Sequence, residues 1–484
     1  MADDKKQELA ITVKKEEDIG AWYTQVIQKA DLIEYTDVSG CMVFKPNSYQ
    51  IWEKIQDFLN EKIKKSGVKN AYFPMFIPEK LLCREQEHVE GFTPEVAWVT
   101  HAGETKLSEK LAIRPTSETI MYDSYAKWIH SYRDLPLRLN QWCNVVRWEF
   151  KTPTPFLRNR EFLWQEGHSV FATKKEADKE VLEILNYYGQ LYEDLLAIPV
   201  NKGRKSVGEK FAGADYTTTV ETLLVDGKAI QGGTSHALGQ NFAKAFDIKF
   251  TDENQKVQLP YQNSWGVSTR IIGAMIMVHS DNKGFVVPPR VAVQKGVIVP
   301  LLFKGKEEIA LAKAKELLKM LGKDFFVDAR SEVSPGFKFS EWEQKGIPLR
   351  IEIGPRDIEN NQVVLVRRDT SEKKFIKIDE LKKTVKLELE AMHQNLYDRA
   401  KKVLEERTVE VKTFDEFQKA ILEKKRCLVA WAESKESEDE IKEKTGAKSS
   451  CIPFNINKER KIKGEVCFYS GKPATCWAYF CKSH

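Results

Sequence analysis

No stretch of this 484-residue sequence is apolar for long enough to cross a bilayer, which excludes a membrane-spanning helix as its organising element. Neither GxxxxGK followed by Ser or Thr nor GxGxxG is present, so any phosphate-handling site is neither a P-loop nor a dinucleotide fold. Cysteine is sparse: there are eight, no two in CxxC spacing, which is no disulfide framework and suits thiols in a reducing compartment. Charge of one sign is not in excess either. With 76 basic against 71 acidic residues the net charge is +5, too mild to demand a nucleic-acid partner but permitting one where lysines cluster. The N-terminal MADDKKQELAITVKKEED lacks both the apolar core of a secretory signal and the arginine-rich, acid-poor character of a transit peptide, so a cytoplasmic location is expected.

What is present is ordinary soluble-protein composition, 42% hydrophobic and 30% charged, at a length that suits roughly three domains. A helix is predicted over Glu17 to Lys29. A second, capped by Asn47 and ended by Gly67, carries Ile51, Ile55, Phe58, Leu59 and Ile63 as its apolar stripe. Ala71 to Phe76 reads as a strand, and Pro74 inside it belongs at an edge or an interface because it cannot donate to a ladder. Leu111 to Glu118 ends a strand and opens a helix; Glu118 there complements the helix dipole or meets a cationic ligand. Thr173 and Glu176 form a capping box for a helix stopped by Pro199. A basic loop over Asn201 to Lys210 follows, then a hairpin turning at Asp226-Gly227. Gly232 and Gly233 mark either a bulge or a close approach of ligand to backbone. Gln262 to Arg270 leads into a buried helix, Ile271 to His279, whose opening arginine suits an anion. From Pro288-Pro289 on, alternating strands and helices imply a small α/β domain: a strand at Val297 to Val299, helix Glu307 to Leu321, a strand at Phe325 to Ala329, a helix capped by Ser334-Pro335, and strands Leu349 to Ile353 and Val363 to Arg368. A long helix, Asp379 to Glu406, leaves it, and a third small α/β unit begins near Thr408.

The stretch with the densest chemistry is Val145 to His168. Alternation along a strand puts Arg147 and Glu149 on one face and Val146, Trp148 and Phe150 on the other; on the return segment Phe162, Trp164, Glu166 and His168 share a side opposite Leu163, Gln165, Gly167 and Ser169. Pro153 and Pro155 break the loop between them, and Arg158 and Arg160 follow where a loop can fold over an anion. Such a hairpin either holds a charged ligand or is a solvated surface element.

The helix before Pro74, the Arg147-Trp-Glu149 hairpin with its arginine loop, and the Gly266 to Arg270 helix opening resemble, in order, motifs 1, 2 and 3 of class II aminoacyl-tRNA synthetases. The strings RPTSE, FLWQEGH, FAGADYTTT, QGGTSHALGQNF and GPRD are similar to those of archaeal and eukaryotic-like prolyl-tRNA synthetases, and the resemblance runs from about Trp22 to the C-terminus. It implies an α+β multidomain chain: an antiparallel-sheet catalytic domain (1–288), an α/β anticodon-binding domain with trailing helix (289–406) and a small C-terminal α/β domain (407–484).

The resemblance further implies ATP, Mg2+, L-proline and tRNA(Pro) as substrates, and a homodimer with Pro74 near its axis. Arg147 would contact the α-phosphate and the carboxylate, with Glu149, Arg158 and Asn159 on the nucleotide. Phe162 and Arg270 would sandwich adenine, Arg270 also reaching the γ-phosphate, and Gln231, Thr234 and Ser268 would complete the nucleotide site. For proline, the family places Thr116 and Glu118 on the ammonium, and Trp164, His168, Phe211 and His236 around ring and carboxylate. Arg147 and Arg270 would be the catalytic cations. Glu343, Arg356 and Asp357 match positions that read anticodon guanines; read locally, GPRD is a charged turn. A sister enzyme for threonine, serine or glycine would lack the Trp164/His168 pairing, and a non-catalytic relative would carry damaged motifs. Many relatives bind zinc through closely spaced cysteines near the C-terminus. Here Cys427 stands alone up to Ser437 and Cys467 is followed by Phe468-Tyr469, so no structural zinc is expected. Phe171 to Tyr261 leaves no room for an editing insertion, and His484 ends the chain where relatives often have tyrosine.

Overall fold

The computed structural model describes residues 10–88, 95–149 and 151–484. The first nine residues of the polar N-terminal stretch, and Phe150, which strand alternation assigned to the core face, lie outside these.

The chain begins with helix α1 (Ile19–Lys29), whose Asp18 carboxylate accepts from the Ala21 N–H at 3.0 Å and whose Trp22, Tyr23, Val26 and Ile27 are buried. Helix α2 (Pro46–Lys65) buries Ile51, Ile55, Leu59 and Ile63 along one face, each worth about 1.5–3 kcal/mol of apolar burial. Asn47 is not its cap. Pro46 takes the first helical position, and the Asn47 amide instead donates to the Ala30 carbonyl at 3.2 Å. Gly67, at φ +92°, turns the chain out of α2 as expected.

Ala71 to Phe76 is not a strand. Strands Lys69–Asn70 and Phe76–Pro78 flank an irregular run in which the Ala71 N–H donates to Asn140 O at 2.8 Å and the Phe73 N–H to the Gln141 side chain. Pro74, lacking an N–H, stands exposed between them. Strand β1 (Thr105–Ile113) then delivers the chain to α3 (Glu118–Trp128).

Strands β2 (Leu137–Val146) and β3 (Glu161–Phe171) form the expected hairpin in register Val146↔Glu161. The outgoing strand stops sooner than alternation predicts, because the Trp148 N–H leaves the ladder for the Glu95 carbonyl at 3.2 Å. Trp148 is therefore 42% exposed rather than core, with the Arg160 guanidinium 4.8 Å from its ring. The capping box of α4 (Lys174–Gln190) is present, Glu176 N–H to Thr173 Oγ1 at 3.3 Å and Thr173 N–H to Glu176 Oε2 at 3.1 Å, and the helix runs into a π turn, Leu191–Leu195.

The expected basic loop is partly strand: β4 (Asn201–Arg204) pairs with β5 (Tyr216–Leu223). That strand turns at Gly227, φ +81°, into β6 (Lys228–Gly239). Register shifts opposite Val220 and Glu221, so Gly232 is the extra residue of a bulge. A Cβ on Gly232 would lie 2.6 Å from the Tyr192 ring, and one on Gly233 3.0 Å from Tyr188, so tyrosines behind the sheet demand both glycines. Strand β7 (Tyr261–Ser268) completes the antiparallel floor and opens into the buried helix α5 (Arg270–His279). Val291 and Ala292, just past Pro289, still belong to this first core.

In the second unit, β8 (Gly296–Pro300), α6 (Glu307–Leu321), β9 (Phe325–Val327), α7 (Pro335–Gln344) and β10 (Leu349–Ile353) follow the predicted alternation. GPRD is not a bare turn but a short helix, α8 (Pro355–Glu359), capped by Asp357 accepting from the Gly354 N–H at 2.9 Å. Strands β11 (Gln362–Arg367) and β12 (Lys373–Lys377) finish a sheet in order β9-β8-β10-β11-β12, and α9 (Leu381–Glu406) leads away.

The third unit holds β13 (Thr408–Glu410), α10 (Phe414–Leu422), β14 (Arg426–Trp431), α11 (Lys435–Thr445), β15 (Lys448–Pro453) and β16 (Cys476–Ser483). Its sheet is not separate. Through β15 on β4 it continues the sheet of the first unit into eleven strands, ordered β13-β14-β16-β15-β4-β5-β6-β7-β3-β2 with Lys69–Asn70 at the far edge.

Candidate active site

The antiparallel floor β5-β6-β7-β3 presents alternate side chains to one face, and Thr116 and Glu118 at the head of α3 reach the same space. Together they enclose a cavity of about 190 Å³. Of the residues proposed from sequence, Thr116, Glu118, Arg147, Phe162, Trp164, His168, Phe211, Gln231, Thr234, His236, Ser268 and Arg270 all line it. The alternation read along the return strand of the hairpin holds: Gln165 and Ser169 turn to the other side, where they bond Tyr188 and Glu180 of α4.

One region of the cavity is anionic. Glu118, Glu166 and His168 bring ligand atoms within 4.8 Å of one another, the only such group of acidic, His or Cys side chains among the described residues. Glu118 accepts from the Thr116 hydroxyl. Glu166 accepts from the Ser117 hydroxyl, from the Ser117 N–H at 3.1 Å and from the Gln141 amide at 3.0 Å. His168 meets Glu166 at 3.3 Å and the Tyr122 hydroxyl at 3.0 Å. Burial works against charge on both Glu166 and His168, but their mutual hydrogen bond wins: the carboxylate sits below its usual range and the imidazole above its own. Two carboxylates, oriented by an imidazole and two hydroxyls, suit a cationic amine. His236 differs: burial, reinforced by the charge of His168, pushes it down to about 3, so it is a neutral partner to Thr217 and Thr234.

The other region is cationic. Arg147 lies 5.1 Å from the Trp164 ring and 5.7 Å from Phe162, with its Nε–H on Pro115 O at 3.0 Å. Arg270 fixes its Nε–H on Leu157 O at 3.1 Å. Burial lowers the pKa of both guanidiniums, and Arg147 and Arg158 lower that of Arg270 further. Convergent, partly desolvated cations of this kind suit a polyanion.

Glu149, Arg158 and Asn159 do not line the cavity. Glu149 stands exposed in the hairpin loop, Arg158 bears on Arg270 from that loop, and Asn159 is buried with both amide atoms lacking a protein hydrogen-bond partner. Glu166, Ser264 and Trp265 were given no role from sequence. The return-strand alternation had placed Glu166 on the right face, but Ser264 enters through its pairing with His168 across β7 and β3, which no local pattern reveals. Elsewhere, Glu343 ends α7 and pairs with Arg350 at 3.3 Å, whereas Arg356 and Asp357 lie beyond the far end of β10. The five residues of β10, roughly 15 Å of strand, run between the end that meets Glu343 and the GPRD helix.

Three family models match the chain: the tRNA synthetase class II core domain (G, H, P, S and T) over residues 99–279, an anticodon binding domain over 295–388, and the prolyl-tRNA synthetase C-terminal domain over 414–484. A protein of Arabidopsis thaliana named "Proline--tRNA ligase, cytoplasmic" is 51% identical over 99% of this chain and 92% of its own. "Proline--tRNA ligase 2" of Bacillus thuringiensis is 51% identical over 99% and 100%, and "Proline--tRNA ligase" of Clostridium botulinum 49% identical over the full length of both. With identity of this order sustained from end to end, across a class II core, an anticodon domain and the matching C-terminal domain, the chain belongs to the prolyl-tRNA synthetase family of class II aminoacyl-tRNA synthetases.

Proposed function

We propose that this protein joins L-proline to tRNA(Pro) in two steps through prolyl adenylate. The observation that carries the reading is a single cavity in which Glu118 and Glu166 answer an ammonium and Arg147 and Arg270 answer phosphates, with the Trp164 ring 5.1 Å from Arg147. A carboxylate oxygen of proline attacks the α-phosphorus of ATP, the bond to the β-phosphate oxygen breaks, and pyrophosphate leaves. The nucleophile is ionised far below neutral pH, its α-carboxyl pKa being about 3.3–3.7, so no general base is needed. Catalysis then rests on alignment and on cations facing the charge that develops. ATP comes as its magnesium complex, the metal being part of that substrate. In the second step a terminal ribose hydroxyl attacks the prolyl carbonyl and AMP departs.

Phe162 and Arg270 are read as the adenine walls, Gln231, Thr234 and Ser268 as nucleotide contacts, and Phe211 and His236 as walls of the proline pocket. Glu149, Arg158 and Asn159, outside the cavity, would reach the nucleotide only if the hairpin loop closes. Glu343, Arg356 and Asp357 are kept as candidate readers of the anticodon. Tyr72, Phe76, Trp98 and Trp128, 70%, 44%, 39% and 49% exposed around Pro74, support a homodimer covering this face, which sedimentation at working concentration tests. A cytoplasmic setting is supported by the name of the Arabidopsis relative. The reading includes no editing in cis, because between β3 and β7 the chain is taken up by α4, its π turn, β4 to β6 and the helix Asn241–Phe246. The test is charging of transcripts: proline should load tRNA(Pro) and not tRNA(Thr), and failure with tRNA(Pro) contradicts the proposal.

A further inference from the structure

Lys205 and Glu221 form a buried ion pair where the third unit meets the catalytic sheet. Lys205 is 7% and Glu221 2% exposed, and their charged atoms are 2.6 Å apart. The Lys205 ammonium also donates to the carbonyl of Ser450, on β15, at 2.8 Å. The junction is secured on both sides of this contact: Pro453 pairs with Gly203, and Ser206 donates to Glu438 at 2.6 Å.

Glu221 lies on the face of the sheet that carries the active site. On β5 it stands directly opposite Gln231 of β6, and residues opposite one another in an antiparallel pair point to the same side of the sheet. Gln231 and Arg270 line the cavity. Glu221 is thus a carboxylate one strand outward from the cationic region, and Lys205 and the Thr219 hydroxyl, at 2.9 Å, are what engage it. Its negative charge acts on Arg270 even in this arrangement.

We propose that Lys205 and Glu221 are positioning residues of the adenylation site: the third unit holds Lys205 on Glu221, which keeps Glu221 from pairing with Arg270 and leaves that guanidinium to the phosphates of ATP. The inference rests on reading the cavity as an adenylation site, and it gives the third unit a part in nucleotide use although no residue of that unit lines the cavity.

A buried carboxylate stripped of its partner seeks another cation. Lys205→Met in the full chain should therefore raise KM for ATP in proline-dependent pyrophosphate exchange by about tenfold or more, with KM for proline held within about threefold. Calorimetry with ATP replaces kinetics if turnover is too slow. Adding Glu221→Gln to Lys205→Met removes the carboxylate that captures Arg270 and should bring KM for ATP back toward the wild-type value. If Lys205→Met does not fold, Lys205→Gln, which keeps a donor for Ser450 O, carries the same test. An unchanged KM for ATP in the folded single variant overturns the proposal, and so does a double variant as impaired as the single. Equal damage to ATP and proline use, the mark of a merely structural role, overturns it too. Wild-type protein without proline-dependent exchange would instead defeat the functional reading on which the proposal rests.

Discussion

The Nε–H of Arg270 donates to the carbonyl oxygen of Leu157 at 3.1 Å, fastening the first residue of α5 to the loop between β2 and β3. The same loop is held from its other side by the Tyr23 hydroxyl, which donates to Pro155 O at 2.8 Å. The arginine loop of the hairpin and the arginine that opens the last catalytic helix are therefore one assembly. Arg270→Ala should lower proline-dependent exchange by roughly 10²- to 10³-fold, as removal of a preorganised charge-stabilising donor does. Its midpoint of thermal unfolding should move little. An active Arg270→Ala protein would place the phosphate site elsewhere.

Glu118 supplies the ammonium region with an acceptor already oriented by Thr116. Hydrogen bonds to charged groups are worth about 1.5–3 kcal/mol, so Glu118→Gln should raise KM for proline by roughly 10- to 150-fold. KM for ATP should stay near the wild-type value. Parallel losses for both substrates would reduce Glu118 to its helix-dipole role.

The cavity histidines have opposite linkages. The native pKa of His168 is raised: burial opposes its charge, but the Glu166 hydrogen bond and the Glu118 carboxylate outweigh it. Its contribution to stability is then complete below about pH 6.5 and is lost as pH rises through the higher native value. His236 titrates at about 3 and, through burial, His279 at about 3 and His393 at about 4. Each takes a proton near pH 6.5 when unfolded, so between the native value and about 6.5 stability climbs with pH. In thermal melts the gap between wild type and His168→Gln should narrow above about pH 6.5, while His236→Gln should soften only part of the acid side. A gap that widens with pH contradicts the assignment.

Alternation, capping and turn chemistry are local, and where they governed, the elements were legible: the Thr173 box, the Gly227 turn, the face shared by Phe162, Trp164, Glu166 and His168. Several misreadings have a partner outside the segment behind them. Trp148 left its strand for Glu95, the Phe73 N–H was claimed by Gln141, and Asn201 to Arg204 became strand by pairing with Thr218 to Glu221 on one side and, at Gly203 and Arg204, with Pro453 and Ile452 some 250 positions on. The active-site residues carried over by resemblance converge in the cavity except Glu149, Arg158 and Asn159, all on the hairpin loop. Glu166 shows the limit of local reading. Its face was plain, but its function as an acceptor for Ser117 and Gln141 as well as for His168 of its own strand required two other segments, the head of α3 and β2, to be in place.

The C-terminal thiols pack in the core of the third unit, and no structural zinc is expected among them. Cys427, Cys451 and Cys476 are buried along the strands of the third unit, and burial pushes each up to about 12; at Cys467 burial is outweighed by hydrogen bonds from Ser470 and nearby backbone, which lower the thiol, but zinc takes several thiolates. Metal analysis of purified protein should find no stoichiometric zinc; one tightly held zinc per chain would contradict this.

Alanine is smaller than proline and carries a cationic amine, so the cavity can reject it only through lost apolar contact, about 1–3 kcal/mol for each missing methylene. It should be activated at a measurable rate. Preformed alanyl-tRNA(Pro) should decay in the presence of the enzyme no faster than alone, and accelerated hydrolysis would reveal an editing site in this chain.

The central claim is that one cavity binds an amino acid at Glu118 and Glu166 and presents its carboxylate to ATP held by Arg147 and Arg270. Exchange of labelled pyrophosphate into ATP measures that step alone, without tRNA. The account predicts exchange with proline, weaker exchange with alanine, and none with threonine, serine or glycine. Exchange driven by threonine, serine or glycine in preference to proline, or none with any amino acid, would contradict it.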